Sequence, residues 1–308
     1  MFDGFESDRI ALGNEVSIFY RQGGSGPPLL LLHGYPQTHA IWHKIAPALA
    51  QRFTLVMPDL RGYGASRGPA PDIEHRNYSK RAMAGDMVAL MRALGHDRFD
   101  LAGHDRGARV AYRLALDHPD HVRRFASLDT VPTIDIWEGM NAAEAIATYH
   151  WPFLAVPAPL PERLIGGDPE FFVRHLLERW AGDASRLDPV AVAQYIAQFR
   201  NPATVQATCE DYRAGATCDW ADDRADREAG RRIECPMLIL WGRGYIGHSA
   251  ASTGCTPGAV WRRWADDVRE IALDCGHFIV EEEPENAAAA LLDFFGAPKR
   301  GSSRIGDE

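Results

Sequence analysis

Apolar positions along the chain fall into two kinds of run. Short continuous ones, such as Pro28 to Leu32 and Phe53 to Met57, have the length and composition of strands buried on both faces of a parallel sheet. Longer ones are periodic. Between Ser79 and Leu94 the apolar residues Met83, Met87, Leu90, Met91 and Leu94 recur at the spacing of a helix lying on a sheet, and Gly95 follows as its stop. The two kinds alternate. Pro28 to Leu32 leads through His33-Gly34-Tyr35-Pro36-Gln37 into a helical segment reaching Gln51, and Phe53 to Met57 leads to Asp59-Leu60-Arg61-Gly62-Tyr63-Gly64. Phe99 to Ala102 precedes a helix running to Leu116, and Arg124 to Leu128 ends at Asp129. Ahead of these units, the segment around Arg9 to Tyr20 alternates about Gly13-Asn14, as a hairpin does, and Gly23-Gly24-Ser25-Gly26 forms a turn. This order predicts an α/β fold with a mostly parallel sheet flanked by helices.

The alternation breaks after Asp129. From Ile134 to about Ala216 there is no strand-like run, and three helix starts share one signature: Asp168-Pro169, Asp188-Pro189 and Asn201-Pro202. Each puts a capping side chain before a proline at the first helical position. The expected organisation is therefore a core of residues 1–133 and 217–298, a helical cap of residues 134–216, and a flexible tail of residues 299–308 within a frayed end from Ala297 to Glu308. The charge-rich stretch Asp219 to Glu234 reads as a solvated helix, because arginines interrupt its acids and no EF-hand spacing is present. Strands resume at Met237 to Trp241 and Glu270 to Leu273, and a last helix covers Pro284 to Phe295.

Composition narrows the class. A chain of 308 residues with 46% hydrophobic content can bury a large core. Met1 to Ile10 carries four charged residues and no apolar core region, so neither a signal peptide nor a membrane span is expected, and a cytoplasmic location follows. The five cysteines, Cys209, Cys218, Cys235, Cys255 and Cys275, are odd in number and form no C-x-x-C pair, which points to free thiols and no metal framework. A net charge of -9 argues against nucleic acid as a partner.

The candidate chemistry centres on Gly103-His104-Asp105-Arg106-Gly107. Glycines on both sides of one residue, between a strand and a helix, suit a sharp turn that lifts that side chain clear of the sheet. Here it is a carboxylate, which implies attack by Asp105 and a covalent ester. The plain alternative is an Asp capping the helix that follows. The strand and helix order, this elbow and the inserted helices together resemble the α/β-hydrolase fold, whose triad runs nucleophile, acid, histidine. Asp105, Asp129 and His277 fill that order, His277 lying in Cys275-Gly276-His277-Phe278. Many relatives place the acid after the later strand, but the loop Trp241-Gly242-Arg243-Gly244-Tyr245-Ile246-Gly247 holds no carboxylate, which leaves Asp129 unless it is a simple turn residue. The backbone N–H groups of Tyr35 and Arg106 match the oxyanion hole of that fold.

Arg106 and Arg109 sit in the first turn of the helix after Asp105, where the helix dipole disfavours each cation by about 0.3–1 kcal/mol. A salt bridge is one reason to place them there; clamping a substrate carboxylate beside the nucleophile is another. Asp105-Arg106-Gly107-Ala108-Arg109, His33-Gly34-Tyr35-Pro36-Gln37, Tyr149-His150-Trp151, Tyr212 and Gly276-His277-Phe278 are together similar to the fluoroacetate (haloacetate) dehalogenases, over residues 5–296. That resemblance implies a triad of Asp105, Asp129 and His277, a carboxylate clamp of Arg106 and Arg109, and a halide cradle of His150, Trp151 and Tyr212. It implies a small haloacid substrate, no cofactor or metal, and a homodimer. Tyr35 departs from it, many relatives having Phe there. The neighbouring reading is an epoxide hydrolase, for which Tyr149, Tyr195 and Tyr212 leave proton donors available, although a neutral epoxide has no use for two arginines. A silent binding protein on the same fold is the third reading.

Overall fold

The computed structural model describes residues 1–246 and 254–297. Gly247 of the loop after Trp241, and the expected tail, lie outside them. Eight strands form one sheet: β1 (Glu6–Gly13), β2 (Val16–Gly23), β3 (Pro28–Leu32), β4 (Thr54–Pro58), β5 (Phe99–His104), β6 (Val122–Leu128), β7 (Met237–Gly242) and β8 (Val268–Leu273). Their spatial order is β1-β2-β4-β3-β5-β6-β7-β8. The β1/β2 hairpin and the β2/β4 pair are antiparallel, and every other neighbouring pair is parallel.

The continuous apolar runs feed two cores at once. Leu30 and Leu32 enter one cluster with Val56 and Leu101, while Leu29 and Leu31 enter the other with Leu55, Met57 and Ala102. Successive side chains of a strand point to opposite faces, so a strand covered on both sides has no polar position to spare. Helices α1 (Ala46–Leu49), α2 (Lys80–Ala93) and α3 (Arg106–Asp117) follow β3, β4 and β5. The helix before Phe53 is shorter than its sequence suggested, a 3₁₀ segment His39–Lys44 followed by one turn of α1. In α2, Met83, Met87, Leu90 and Met91 are fully buried, Ser79 caps the start through Ala82 N, and Gly95 leaves the helix at a positive φ of 81°.

Between β6 and β7 lie eight helices: α4 (Thr133–Gly139), α5 (Ala142–Ala147), α6 (His150–Ala155), α7 (Leu160–Gly167), α8 (Pro169–Trp180), α9 (Pro189–Phe199), α10 (Pro202–Ala216) and α11 (Cys218–Glu228). The three proline signatures open α8, α9 and α10, with Asp168 accepting from Phe171 N, Asp188 from Val190 N and Ala191 N, and Asn201 from Ala203 N. The chain ends in α12 (Pro257–Trp261), α13 (Ile279–Glu282) and α14 (Pro284–Gly296). Helix α11 corrects the solvated reading of the charged stretch. Asp219, Asp223 and Asp226 are buried, against Lys80, Tyr112 and Arg113, so one acidic edge of the helix is spent on buried cations and a phenol of the core.

Candidate active site

Asp105 closes β5 and opens α3 with φ 48° and ψ -115°, and its side chain makes no capping bond to the helix. That rules out the capping alternative and leaves a strained, side-chain-presenting turn. The flanking glycines are needed for close approach. A Cβ on Gly103 would meet the backbone of Gly107 and Ala108 at 2.6 Å, and one on Gly107 would meet His33 O at 2.3 Å. The carboxylate is turned instead toward the loop after β3, where Tyr35 N donates to Oδ1 at 2.9 Å. Gly34 permits this, since a Cβ there would lie 2.5 Å from Cβ of Asp105.

Asp129 ends β6 and His277 lies in the loop after β8, and the parallel order β5-β6-β7-β8 brings both to the edge of the sheet that carries Asp105. Asp129 Oδ2 lies 2.6 Å from His277 Nδ1, and its Oδ1 accepts from Gly242 N at 2.8 Å. The far ring nitrogen, Nε2, is buried without a partner, 3.9 Å from Asp105 Oδ2. Burial lowers the His277 imidazole to about 4, so it rests neutral with Nδ1–H donated to Asp129 and Nε2 available to take a proton. Burial also pushes the Asp105 carboxyl up, but His277, His104, Arg109 and Arg106 outweigh it and hold it below its usual range.

Arg106 and Arg109 are both buried and serve differently. Arg106 Nε and Nη2 grip Asp211 of α10 at 3.1 and 2.8 Å, leaving Nη1 without a partner. Arg109 Nη1 reaches only neutral acceptors, Val131 O at 2.8 Å and Thr133 Oγ1 at 3.2 Å, and its Nε is unpartnered. Burial, followed by the charge of Arg106, lowers the Arg109 guanidinium from its ordinary value. Arg106 stacks 4.0 Å over Tyr212, and Arg109 lies 4.5 Å over Trp151. His150 and Trp151 open α6, and their rings meet that of Tyr212 edge-on at 5.9 and 5.7 Å. Burial drops His150 to about 3, so this imidazole is neutral too, and its Nδ1 has no partner. All eight residues singled out in the sequence, together with Tyr35 N, are thus buried around one point between sheet and inserted helices.

A family model described as the alpha/beta hydrolase fold matches residues 27–284. The chain belongs to the α/β-hydrolase family. A fluoroacetate dehalogenase from Burkholderia sp is 43% identical over 98% of this chain and 97% of its own. A soluble epoxide hydrolase from Corynebacterium sp. (strain C12) is 31% identical over 94% of this chain and 97% of its own. Among solved structures, one described as an α/β hydrolase from Nostoc sp PCC 7120 superposes with a TM-score of 0.92 at 48% identity, covering 97% of this chain and all of that one.

Two features of this α/β hydrolase were not singled out in its sequence. Asp211 accepts from Arg106, Lys80 and the Tyr63 hydroxyl, and Arg106 and Lys80 hold its carboxyl well below the usual range although burial raises it. Its one sequence signal is adjacency to Tyr212 on a helix packed against the core. Glu282, buried within the run Glu281-Glu282-Glu283, accepts backbone N–H bonds around His277, whereas an acidic triplet reads as a solvated surface.

Proposed function

We propose that this α/β hydrolase cleaves the carbon–halogen bond of fluoroacetate or another small 2-haloacid, giving the 2-hydroxy acid and halide through an ester on Asp105. The observation that carries the reading is the pair of buried guanidiniums beside that carboxylate, each with a free N–H donor, Arg106 Nη1 and Arg109 Nε. Such donors match a substrate carboxylate and would be costly to bury for a neutral substrate. In the first displacement Asp105 Oδ2 attacks the α-carbon, its oxygen forming the new bond as the halide leaves with the electron pair toward His150, Trp151 and Tyr212. Oδ1 stays on Tyr35 N. In the second, His277 Nε2 takes a proton from water, whose oxygen adds to the ester carbonyl; Asp129 stabilises the imidazolium, and the Tyr35 and Arg106 N–H groups meet the oxyanion. Collapse breaks the bond between the ester carbonyl and the alkoxide oxygen, which takes the proton back from the His277 imidazolium to give the 2-hydroxy acid; Asp105 returns to the carboxylate as its proton passes to solvent.

The 43% identity to a fluoroacetate dehalogenase supports the same reading. Similarity to an epoxide hydrolase keeps diol formation as the rival, but Tyr195 spends its hydroxyl on Glu281 at 3.2 Å, which removes one of the tyrosines that chemistry would use. A halide-selective electrode with fluoroacetate and chloroacetate, run beside a diol assay on styrene oxide, separates the two. Halide release without diol is the expected result. We also read the protein as a cytoplasmic homodimer: its five cysteines are free, and Leu160, Leu164 and Phe171 expose apolar surface on α7 and α8. No described helix is long and apolar enough to cross a membrane.

A further inference from the structure

The His277 ring is oriented by Asp129 at Nδ1 and packs against the rings of Tyr245 and His104, at 4.4 and 4.5 Å. The loop that carries it is tied down by a carboxylate five residues on. Glu282, in α13, is 3% exposed and makes no salt bridge among the described residues. Its Oε1 accepts from Phe278 N at 3.0 Å, and its Oε2 accepts from Gly276 N at 3.1 Å. These are the N–H groups of the residues before and after His277. The same Oε2 accepts from Gly182 N at 2.8 Å and Asp183 N at 3.2 Å, in the turn after α8. His277 N itself donates to Trp180 O at 2.9 Å, at the end of α8. The two backbones touch, so a Cβ on Gly276 would lie 2.1 Å from Gly182 N.

One buried carboxylate therefore satisfies four backbone donors drawn from two segments that no strand pairing joins. Buried backbone donors left unmet are costly, so the geometry around His277 is strongly determined by the Glu282 acceptors. We infer that Glu282 is a positioning residue for His277, locking the base loop to the inserted helices so that Nε2 is aligned only when those helices are docked. This rests on the reading of His277 as the base of ester hydrolysis. Because attack by Asp105 does not use His277, disturbing Glu282 should slow the second displacement and spare the first. General-base contributions and small displacements of a base each span about a hundredfold or more, which sets the scale of the effect.

The experiment compares Glu282→Gln with wild type by rapid-quench halide release and intact-mass detection of the ester, using chloroacetate. Glu283→Gln, on a half-buried neighbour that pairs with Arg186 and touches neither His277 nor its flanking N–H groups, is the control. The expected result for Glu282→Gln is a halide burst of about one per site at a rate within about twofold of wild type, followed by turnover slowed ~10–100-fold with the ester as the dominant species. A parallel fall of both phases, or no change in either, overturns the inference. A readout independent of the substrate is the downfield proton resonance of His277 Nδ1–H on Asp129, assigned by its loss in His277→Asn. Glu282→Gln should shift or broaden it and Glu283→Gln should leave it unchanged; an unaltered resonance counts against the positioning role even if the wild type releases no halide, which would instead refute the dehalogenase reading. Should Glu282→Gln fail to fold, Glu282→Asp, which keeps the charge one methylene short, carries the same tests.

Discussion

Arg106 and Asp211 form a fully buried pair: Nη2 and Nε of the arginine lie 2.8 and 3.1 Å from the two carboxylate oxygens, and Nη2 also reaches Asp211 O at 2.7 Å. Lys80 shares the same carboxylate. The pair joins the first turn of α3 to α10, so the residue that fixes Arg106 sits next to Tyr212 of the proposed halide cradle. Asp211→Asn removes one charge and leaves two buried cations facing each other. Breaking a buried pair in this way costs about 3–5 kcal/mol. A denaturant titration should show a loss of that order, whereas Arg224→Ala, which breaks an exposed pair with Glu228, should cost about 0.5 kcal/mol or less.

Removing the base should stop the reaction half-way. In His277→Asn, one equivalent of halide per site is expected, with the protein gaining the mass of one carboxymethyl group on Asp105 and turnover falling at least a thousandfold, on the order of removing a general base. Peptide mapping that finds no modified Asp105 after incubation with chloroacetate would refute the covalent route.

Among the described residues, Arg109 pairs with no carboxylate. Arg109→Gln should therefore weaken substrate capture more than it weakens the fold. Loss of a charged hydrogen bond of about 1.5–3 kcal/mol predicts a kcat/KM reduced roughly 10–100-fold for haloacetate, with a melting temperature close to that of wild type. An equal kcat/KM for the variant would remove Arg109 from the clamp.

The acid limb of activity follows from His277. Burial lowers its imidazole to about 4, so its charged form appears only as pH falls through that value. Ester hydrolysis should stay flat from about pH 8 to 5 and then drop about tenfold per unit below 4. Conversion of Asp105 to an ester also removes a charge that raises His277, moving the limb further toward acid. A limb centred near the ordinary histidine value of about 6.5 would mean that the base is far more solvated than the structure indicates.

Fluoride is the strongest hydrogen-bond acceptor among the halides, so Tyr212→Phe should discriminate between leaving groups. Deleting one donor aimed at developing charge costs on the order of 10²–10³ in kcat. The loss should be greatest with fluoroacetate and several-fold smaller with bromoacetate. Equal losses for the two substrates would place Tyr212 outside the halide site.

Much of this was readable before any coordinate. Strands buried on both faces have no polar positions, so Pro28 to Leu32 announced itself, and an Asp or Asn before proline marks a helix start by local chemistry alone. The likeness to the haloacetate dehalogenases, read from a handful of short motifs, agrees with 43% identity along nearly the whole chain. What could not be read was pairing at a distance. Arg106 and Asp211 are 105 positions apart, and Glu282 meets Gly182 across 100. The acids of α11 read as solvated because a helix whose acids are interrupted by Arg224 and Arg227 gives no hint that one edge will face Arg113 and Lys80. Burial of a charge is decided by its partner, and the partner is chosen by topology.

The contacts that hold the backbone around Asp105 are main-chain ones: Asp105 N donates to Leu128 O of β6, Arg109 N donates to Asp105 O, and Gly107 lies against His33 O. None depends on which side chain residue 105 carries. The elbow thus behaves as a socket: its strain is built by the fold in advance, and a hydroxyl or a carboxylate can be seated in it without rebuilding the sheet. In the proposed mechanism, seating a carboxylate changes the electrophile from an acyl carbon to a saturated one, and the neighbouring arginines select which saturated carbon is brought into range.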